Sequence, residues 1–142
     1  MFITRLATIS LITILYLISF ASYADVIKFL PNIELPSAGY LTIHNDSNKD
    51  FEIHSVKSED FERVELHKST IKNGMSSMQK LEKLIIPAND EIKLEPNGIH
   101  LMLFKPKNKL EHNRKIQLYF FDENNQEVFT ALLTLKNRTK SN

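Results

Sequence analysis

The chain has 142 residues, no cysteine and a nearly balanced charge, with 18 Lys and Arg against 17 Asp and Glu. Without cysteine, the sequence excludes disulfide bonds, thiol chemistry and acylation on a cysteine. Arg5 is the only charged residue before Asp25, so the chain from Asp25 onward is formally neutral. That balance argues against nucleic acid or an anionic membrane as the default partner.

The first 24 residues have the three parts of a secretory signal peptide. A short start containing Arg5 precedes the uncharged apolar run Leu6–Phe20, and Ala21–Ala24 has small residues at both positions that a signal peptidase recognises. We therefore expect cleavage after Ala24, export to the periplasm and a single mature domain over residues 25–142. The alternative is an uncleaved membrane anchor, because an apolar run near this length approaches that of a membrane span.

The rest of the chain predicts short strands separated by turn residues. Asn45–Asn48 is a turn cluster, and Asn73-Gly74 is a strong hairpin signal. A charged helix over Ser58–Glu65 stays open as an alternative. The regular spacing of the strands predicts an all-β Greek-key sandwich or barrel. The predicted strands are Val26–Leu30, Tyr40–His44, Phe51–Val56 (with alternate residues on alternate faces), Arg63–His67, Leu81–Ile86, Ile92–Leu94, Ile99–Phe104, Lys115–Phe121 and Val128–Leu135.

One predicted strand places an imidazole and a thioether on the same face. His100 and Met102 are two residues apart, so they leave the strand on one side, while Leu101 and Leu103 leave on the other. An imidazole suits several transition metals, whereas a thioether is a soft ligand that favours Cu(I). Whether the pair belongs to a copper site depends on whether other such ligands can join it.

A second pair of the same residue types flanks the Asn73-Gly74 hairpin. His67 lies on the chain entering the turn and Met78 on the chain leaving it, close to opposite each other, so we expect both at one end of the ladder. Taken singly, such residues are more often surface or core residues than ligands. Together the four positions form the pattern H-x10-M-x21-H-x-M, without a gap or an insertion.

This pattern resembles the signature of the periplasmic copper chaperones of the PCuAC family. The similarity continues in the sequence around the ligands and extends from about Ala38 to Leu135. The resemblance implies a cupredoxin-like fold and a single Cu(I) site. The segments that match the family are Arg63–His67, Leu84–Ala88 and Leu94–Leu103, and the implied copper ligands are His67, Met78, His100 and Met102.

The function implied by the resemblance is that of an exported Cu(I) metallochaperone rather than an enzyme. Family members supply copper to the dinuclear centre of cytochrome c oxidase, alongside thiol-bearing Sco-type proteins, and we expect a monomer. Copper sequestration for tolerance, without a dedicated recipient, and a metal-free adhesion or pilus-type sandwich are the alternatives. A histidine-brace copper enzyme would need an N-terminal His instead of Asp25, and a blue-copper site would need a Cys.

The sequence departs from the family pattern at three places. Lys68 follows the first histidine, where many members have Met or Glu, and strand alternation should turn it away from the site. Met75 is a further thioether near the hairpin tip, predicted to be an incidental exposed residue, with assistance in copper transfer as the alternative. Family members often carry a Met- and His-rich C-terminal extension, but the tail Lys136–Asn142 has neither residue, so the resemblance does not extend to a second copper site. Three histidines match no motif position and are expected to be ordinary surface residues, namely His44, His54 and His112.

Overall fold

Strands make up the regular secondary structure of the computed structural model, which describes residues 26–29 and 35–137. The predicted signal peptide lies outside the described residues, and so does the end of the basic tail. Within the described part of the chain, no helix is long and apolar enough to cross a membrane. The strands are β1 (Val26–Phe29), β2 (Ser37–Asn45), β3 (Phe51–Ile53), β4 (Ser55–Lys57), β5 (Phe61–Lys72), β6 (Met75–Lys80), β7 (Leu84–Ile86), β8 (Asp90–Leu94), β9 (Ile99–Pro106), β10 (Lys115–Phe121) and β11 (Glu127–Asn137).

Seven of the described strands close into a ring, which confirms the predicted all-β class and gives a barrel from the predicted sandwich or barrel. The hydrogen-bonded order is β1-β11-β10-β4-β5-β9-β2, and β2 pairs in turn with β1. The pairs are antiparallel except for β1 with β11, which is parallel. Outside the ring, β8 extends β2, β6 extends β5, and β3 and β7 form a small separate sheet. Closure leaves β6 and β8 as edges beside the barrel.

The barrel interior is filled by the apolar residues that alternate along the strands. On β9, Leu101 and Leu103 are fully buried in the core, as predicted, and His100 and Met102 leave the strand on the other face. The same alternation places three residues of β10 in the interior, Ile116, Leu118 and Phe120. Because Leu101 and Leu103 must face the apolar interior, His100 and Met102 lie on the opposite face of β9.

The predicted Asn73-Gly74 turn joins β5 to β6. Both residues have positive φ, 52° and 76°, which is the conformation of a type I′ hairpin turn. Strand β6 itself was not predicted, because its residues are all exposed and carry no apolar alternation. It forms because the tight turn brings Met75 opposite Lys72 and continues the ladder to Lys80 opposite His67.

The predicted turn cluster after β2 is organised by one buried side chain. The Asn45 Oδ1 atom accepts hydrogen bonds from the Ser47 amide at 3.1 Å and from its hydroxyl at 2.7 Å. The Asn45 Nδ2 group donates to the carbonyl of Ile86 at 3.0 Å, on β7. The asparagine thus closes its own turn and ties it to a distant strand.

The alternative helix over Ser58–Glu65 is wrong. Strand β5 begins at Phe61, and its pairing with β9 runs from Phe61 opposite Pro106 to Lys68 opposite Ile99. Burial of Val64 on that strand against the core outweighs the local preference of a charged stretch.

The predicted strands Phe51–Val56 and Leu81–Ile86 are also wrong in detail. The first is divided at His54 into β3 and β4, because β3 pairs with β7 while β4 pairs with β5 and β10. The break changes the alternation, so that both Ile53 and Val56 are buried. The second is shorter, since β7 begins only at Leu84.

We expect Leu101→Ala to lower the free energy of unfolding by about 2–5 kcal/mol, because Leu101 is 0% exposed and its truncation leaves a cavity in the barrel. The matched control is Leu132→Ala on β11, where the side chain is 42% exposed and the expected loss is below about 1 kcal/mol. Urea denaturation followed by circular dichroism measures both. Equal losses would contradict the assignment of Leu101 to the core.

Candidate metal centre

The pairing of β5 with β9 brings the two predicted histidine ligands together. His67 lies directly opposite His100, one position from the buried pair Leu66 and Leu101. Directly opposed residues share a face of the sheet, and neighbouring positions alternate. The two histidines therefore project from the face opposite the core. Their ring centroids are 6.2 Å apart, with an angle of 39° between the planes.

Met78 joins the histidines from β6. It lies opposite Ser69, diagonal to His67 on the same face of the hairpin, and its Sδ atom is 3.2 Å from Nε2 of His100. Nitrogen and sulfur ligands of one tetrahedral metal ion lie about 3.5 Å apart, given metal–ligand bonds of about 2.0 and 2.3 Å. The contact between the two side chains is therefore close to the spacing that a shared metal ion requires.

The orientation of His100 is set by the backbone that precedes it. Nδ1 lies 3.1 Å from the carbonyl oxygen of Gly98. A carbonyl only accepts, so Nδ1 donates, and the lone pair of the neutral ring is then on Nε2. The ring is almost completely buried. This bare nitrogen faces the sulfur of Met78, which is the arrangement expected of two ligands rather than of a donor and an acceptor.

His67 has one satisfied and one unsatisfied ring nitrogen. Its Nε2 atom lies 2.9 Å from Oε2 of Glu65. Its Nδ1 atom is buried and has no hydrogen-bond partner. Buried polar atoms are nearly always paired, so an unpaired ring nitrogen beside another histidine and a thioether fits a place for a metal ion.

Met102 occupies the fourth predicted position. It is partly buried on β9, two residues from His100 on the same face, and lies opposite Glu65 on β5 and Ala38 on β2. The structure thus brings His67, His100 and Met78 into one cluster and places Met102 beside them in the sheet. Among the described residues, no group of three or more His, Cys, Asp or Glu side chains could hold a metal ion, whereas this cluster combines imidazoles with thioethers.

Glu65 is the charged residue of the site. Its Oε1 atom lies 3.2 Å from Nε of Arg63 and 3.4 Å from Nζ of Lys80, and the guanidinium of Arg63 lies over the ring of Phe104. The hydrogen bond from His67, followed by the charges of Lys80 and Arg63, holds the pKa of Glu65 below its usual range, against the opposing effect of burial. The site therefore contains a carboxylate that stays ionised.

Glu65 lies within Arg63–His67, a segment that resembles the PCuAC family, but the sequence alone indicates no role for it. The available signal was its position two residues before His67, which puts both side chains on one face of a strand. The Gly98 carbonyl could not be found in this way, because a backbone contact depends on the conformation of the turn. No residue type in the sequence marks it.

The residues expected to lie outside the site do so. Lys68 is opposite Gln79 and Ile99, on the reverse face of the ladder, which confirms that it turns away. Met75 is 72% exposed and also lies on the reverse face from Met78.

The remaining histidines lie elsewhere on the molecule. His44 and His54 each contact a carboxylate, Glu91 at 3.1 Å and Glu52 at 3.2 Å, and His112 is exposed. His44 is exposed and His54 only partly so.

Comparison with known proteins relates the chain to a family and to a fold. The LpqE-like family model, whose description refers to a lipoprotein, matches residues 25–133. Protein RP573 of Rickettsia prowazekii (strain Madrid E) is 30% identical over 94 residues. That alignment covers 65% of this chain and 52% of RP573, so the chain spans about half the length of this relative.

Two solved structures share the fold at low sequence identity. The copper-bound PCuAC domain from PmoF2 is 17% identical, with a TM-score of 0.62 over 80% of this chain and 89% of that domain. The solution structure of Cu(I)-bound DR1885 from Deinococcus radiodurans is 20% identical, with a TM-score of 0.58 over 82% of this chain and 76% of DR1885. The chain therefore has the barrel fold of PCuAC domains.

We expect Glu65→Gln to lower the free energy of unfolding by about 1–2 kcal/mol at neutral pH, because it removes charge-assisted hydrogen bonds. The folded pKa of Glu65 is depressed. Its stabilising effect is therefore complete above the unfolded value of about 4.3 and is lost as the pH falls through the lower folded value. Urea unfolding in steps from about pH 6 to pH 2 should show the two proteins converging in acid.

The control for this comparison is Glu91→Gln. Glu91 also contacts a histidine, but both side chains are more than 40% exposed, so a small effect is expected. A deficit in Glu65→Gln that stays constant down to the lowest pH would contradict the depressed pKa.

Proposed function

We propose that this chain, which belongs to the LpqE-like family, carries Cu(I) at the site between β5, β6 and β9. The observation that supports this most directly is the 3.2 Å contact between Nε2 of His100 and Sδ of Met78, beside the buried and unpartnered Nδ1 of His67. Copper in two solved structures of the same fold adds to the case. The proposed ligands are His67, Met78, His100 and Met102.

The ligand set suits Cu(I) in an oxidising compartment. Cu(I) has a filled d shell and accepts the trigonal or tetrahedral geometries that two imidazoles and two thioethers can supply. Thioethers are neutral and form no disulfides, so they remain ligands where thiols would be oxidised in pairs. Protons compete with copper for the imidazole nitrogens, so we expect weaker binding in acid.

The exposure of the ligands favours a carrier over a catalyst. His100 is buried, whereas the Met78 side chain is 52% exposed on β6, an edge strand of the described structure. A soft ligand from a recipient can therefore reach the metal from the Met78 side and replace that thioether first. Stepwise exchange of this kind transfers the ion without any covalent step in the protein.

We also propose where the protein acts and which protein receives its copper. Residues 1–24 have the pattern of a signal peptide, which supports export to the periplasm and a mature domain over residues 25–142. The PCuAC resemblance supports delivery to the dinuclear copper centre of cytochrome c oxidase, with Sco-type thiol proteins acting in the same process. Sequestration for copper tolerance is the alternative use of the same site.

Titration of the mature domain with Cu(I) in the presence of a chromophoric Cu(I) chelator tests the site. We expect one Cu(I) per chain and mixed nitrogen and sulfur scattering in X-ray absorption. His100→Ala and Met78→Ala should each weaken binding by at least about tenfold, because each removes a ligand. His44→Ala and Met75→Ala are matched controls that should bind normally. Full binding in both ligand variants would contradict the proposed site.

Deletion of the gene separates delivery from tolerance. We expect lower cytochrome c oxidase activity at limiting copper, restored by the wild-type gene or by excess copper but not by the Met78→Ala gene at limiting copper. Normal oxidase activity combined with increased sensitivity to copper would favour the tolerance function instead.

A further inference from the structure

The carboxylate of Glu65 contacts Nε2 of His67, one of the two ring nitrogens through which this proposed ligand could bind a metal ion. Glu65 and His67 are two residues apart on β5, and both side chains are about five-sixths buried, at 16% and 15% exposure. Oε2 of Glu65 lies 2.9 Å from Nε2 of His67. An ionised carboxylate can only accept, so Nε2 carries the hydrogen.

In the neutral form of His67, the other ring nitrogen is consequently bare. A neutral imidazole has one hydrogen, so with Nε2 protonated the lone pair lies on Nδ1. That atom is buried and has no hydrogen-bond partner in the structure. A bare nitrogen shielded from water, next to a second histidine, is suited to bind a metal ion.

His100 has the opposite arrangement. Its Nδ1 donates to the carbonyl of Gly98, and the bare nitrogen is Nε2, which lies 3.2 Å from the sulfur of Met78. The two histidines, which are directly opposite each other in the sheet, thus expose different ring atoms. The difference follows from their hydrogen-bond partners, a side-chain carboxylate for one ring and a backbone carbonyl for the other.

We propose that Glu65 is a positioning residue of the copper site, which holds the hydrogen on Nε2 of His67 so that this histidine binds Cu(I) through Nδ1 while His100 binds through Nε2. The inference rests on the proposed function. Acceptors of this kind commonly determine the tautomer and orientation of metal-binding histidines.

The carboxylate is itself held in place by the residues around it. Oε1 of Glu65 contacts Nε of Arg63 at 3.2 Å and Nζ of Lys80 at 3.4 Å, which leaves Oε2 for His67. The guanidinium of Arg63 packs over the ring of Phe104, with Cζ 4.1 Å from the ring centroid. The two carboxylate oxygens of Glu65 therefore have different partners: Oε1 contacts the cations and Oε2 contacts His67.

Nitrogen-15 NMR of the histidine rings tests the tautomers in the wild-type protein. In the metal-free domain at pH 8, we expect His67 to be protonated on Nε2 and His100 on Nδ1, with assignments from His67→Gln and His100→Gln. Cu(I) is diamagnetic, so one equivalent should shift Nδ1 of His67 and Nε2 of His100. A copper-induced shift on Nε2 of His67, or protonation of its Nδ1, would overturn the proposal.

Variants of Glu65 test the positioning role. Glu65→Ala should lose the tautomer preference of His67 and weaken Cu(I) binding by about 10- to 100-fold. Glu65→Gln keeps an oxygen that accepts from Nε2, so it should retain the tautomer and most of the affinity. Glu91→Gln, which alters the exposed contact with His44, is the matched control and should change neither property.

A purely structural role for Glu65 gives a different result. In that case Glu65→Ala would lower the thermal stability, while the His67 tautomer and the Cu(I) affinity would remain those of the wild type, and the proposal would be wrong. Failure of the proposed function is recognised separately, because the wild-type domain would then bind no Cu(I) and no ring nitrogen would shift.

Discussion

The antiparallel pairing of β5 with β9 is the constraint on which the candidate site depends. It places His67 opposite His100 and, one step along, Leu66 opposite Leu101. The leucine pair is buried in the barrel, so the register is held by the core. A slip of one residue would exchange the two faces, which would put imidazoles into the apolar interior and leucines outside. The energy that stabilises the fold therefore also aligns the proposed ligands.

The third proposed ligand, Met78, depends on a different kind of constraint. Strand β6 contributes little to the core, since its residues are all exposed, and its position follows from the tight turn at Asn73-Gly74. The site combines the buried His100 on a barrel strand with the half-exposed Met78 on an edge hairpin. It is therefore enclosed on one side and accessible on the other. That asymmetry suits an ion that must be held and then released. The hydrogen-bond partners Glu65 and Gly98 complete the site by orienting the two rings.

The sequence was most informative where short-range rules apply. Strand alternation predicted correctly that His100 and Met102 leave the core face of β9, and Asn-Gly predicted the hairpin turn. It was misleading where distant pairing decides the structure. The charged stretch Ser58–Glu65 allowed a helix, but its part from Phe61 onward belongs to β5 and pairs with β9. Strand β6 has no apolar pattern of its own, so only its partner strand identifies it.

By itself the sequence determined the all-β class, the identity and spacing of the four candidate ligands, and the absence of cysteine from the chain. The tertiary structure alone decided how those ligands meet, with Met78 against His100 and His67 facing Glu65. It also decided which ring nitrogen is bare, because that depends on acceptors supplied by a neighbouring side chain and by the backbone of a turn. The physical reason is that local pattern specifies the face of a strand, whereas contacts between strands depend on register, and register is set by the packing of the whole barrel.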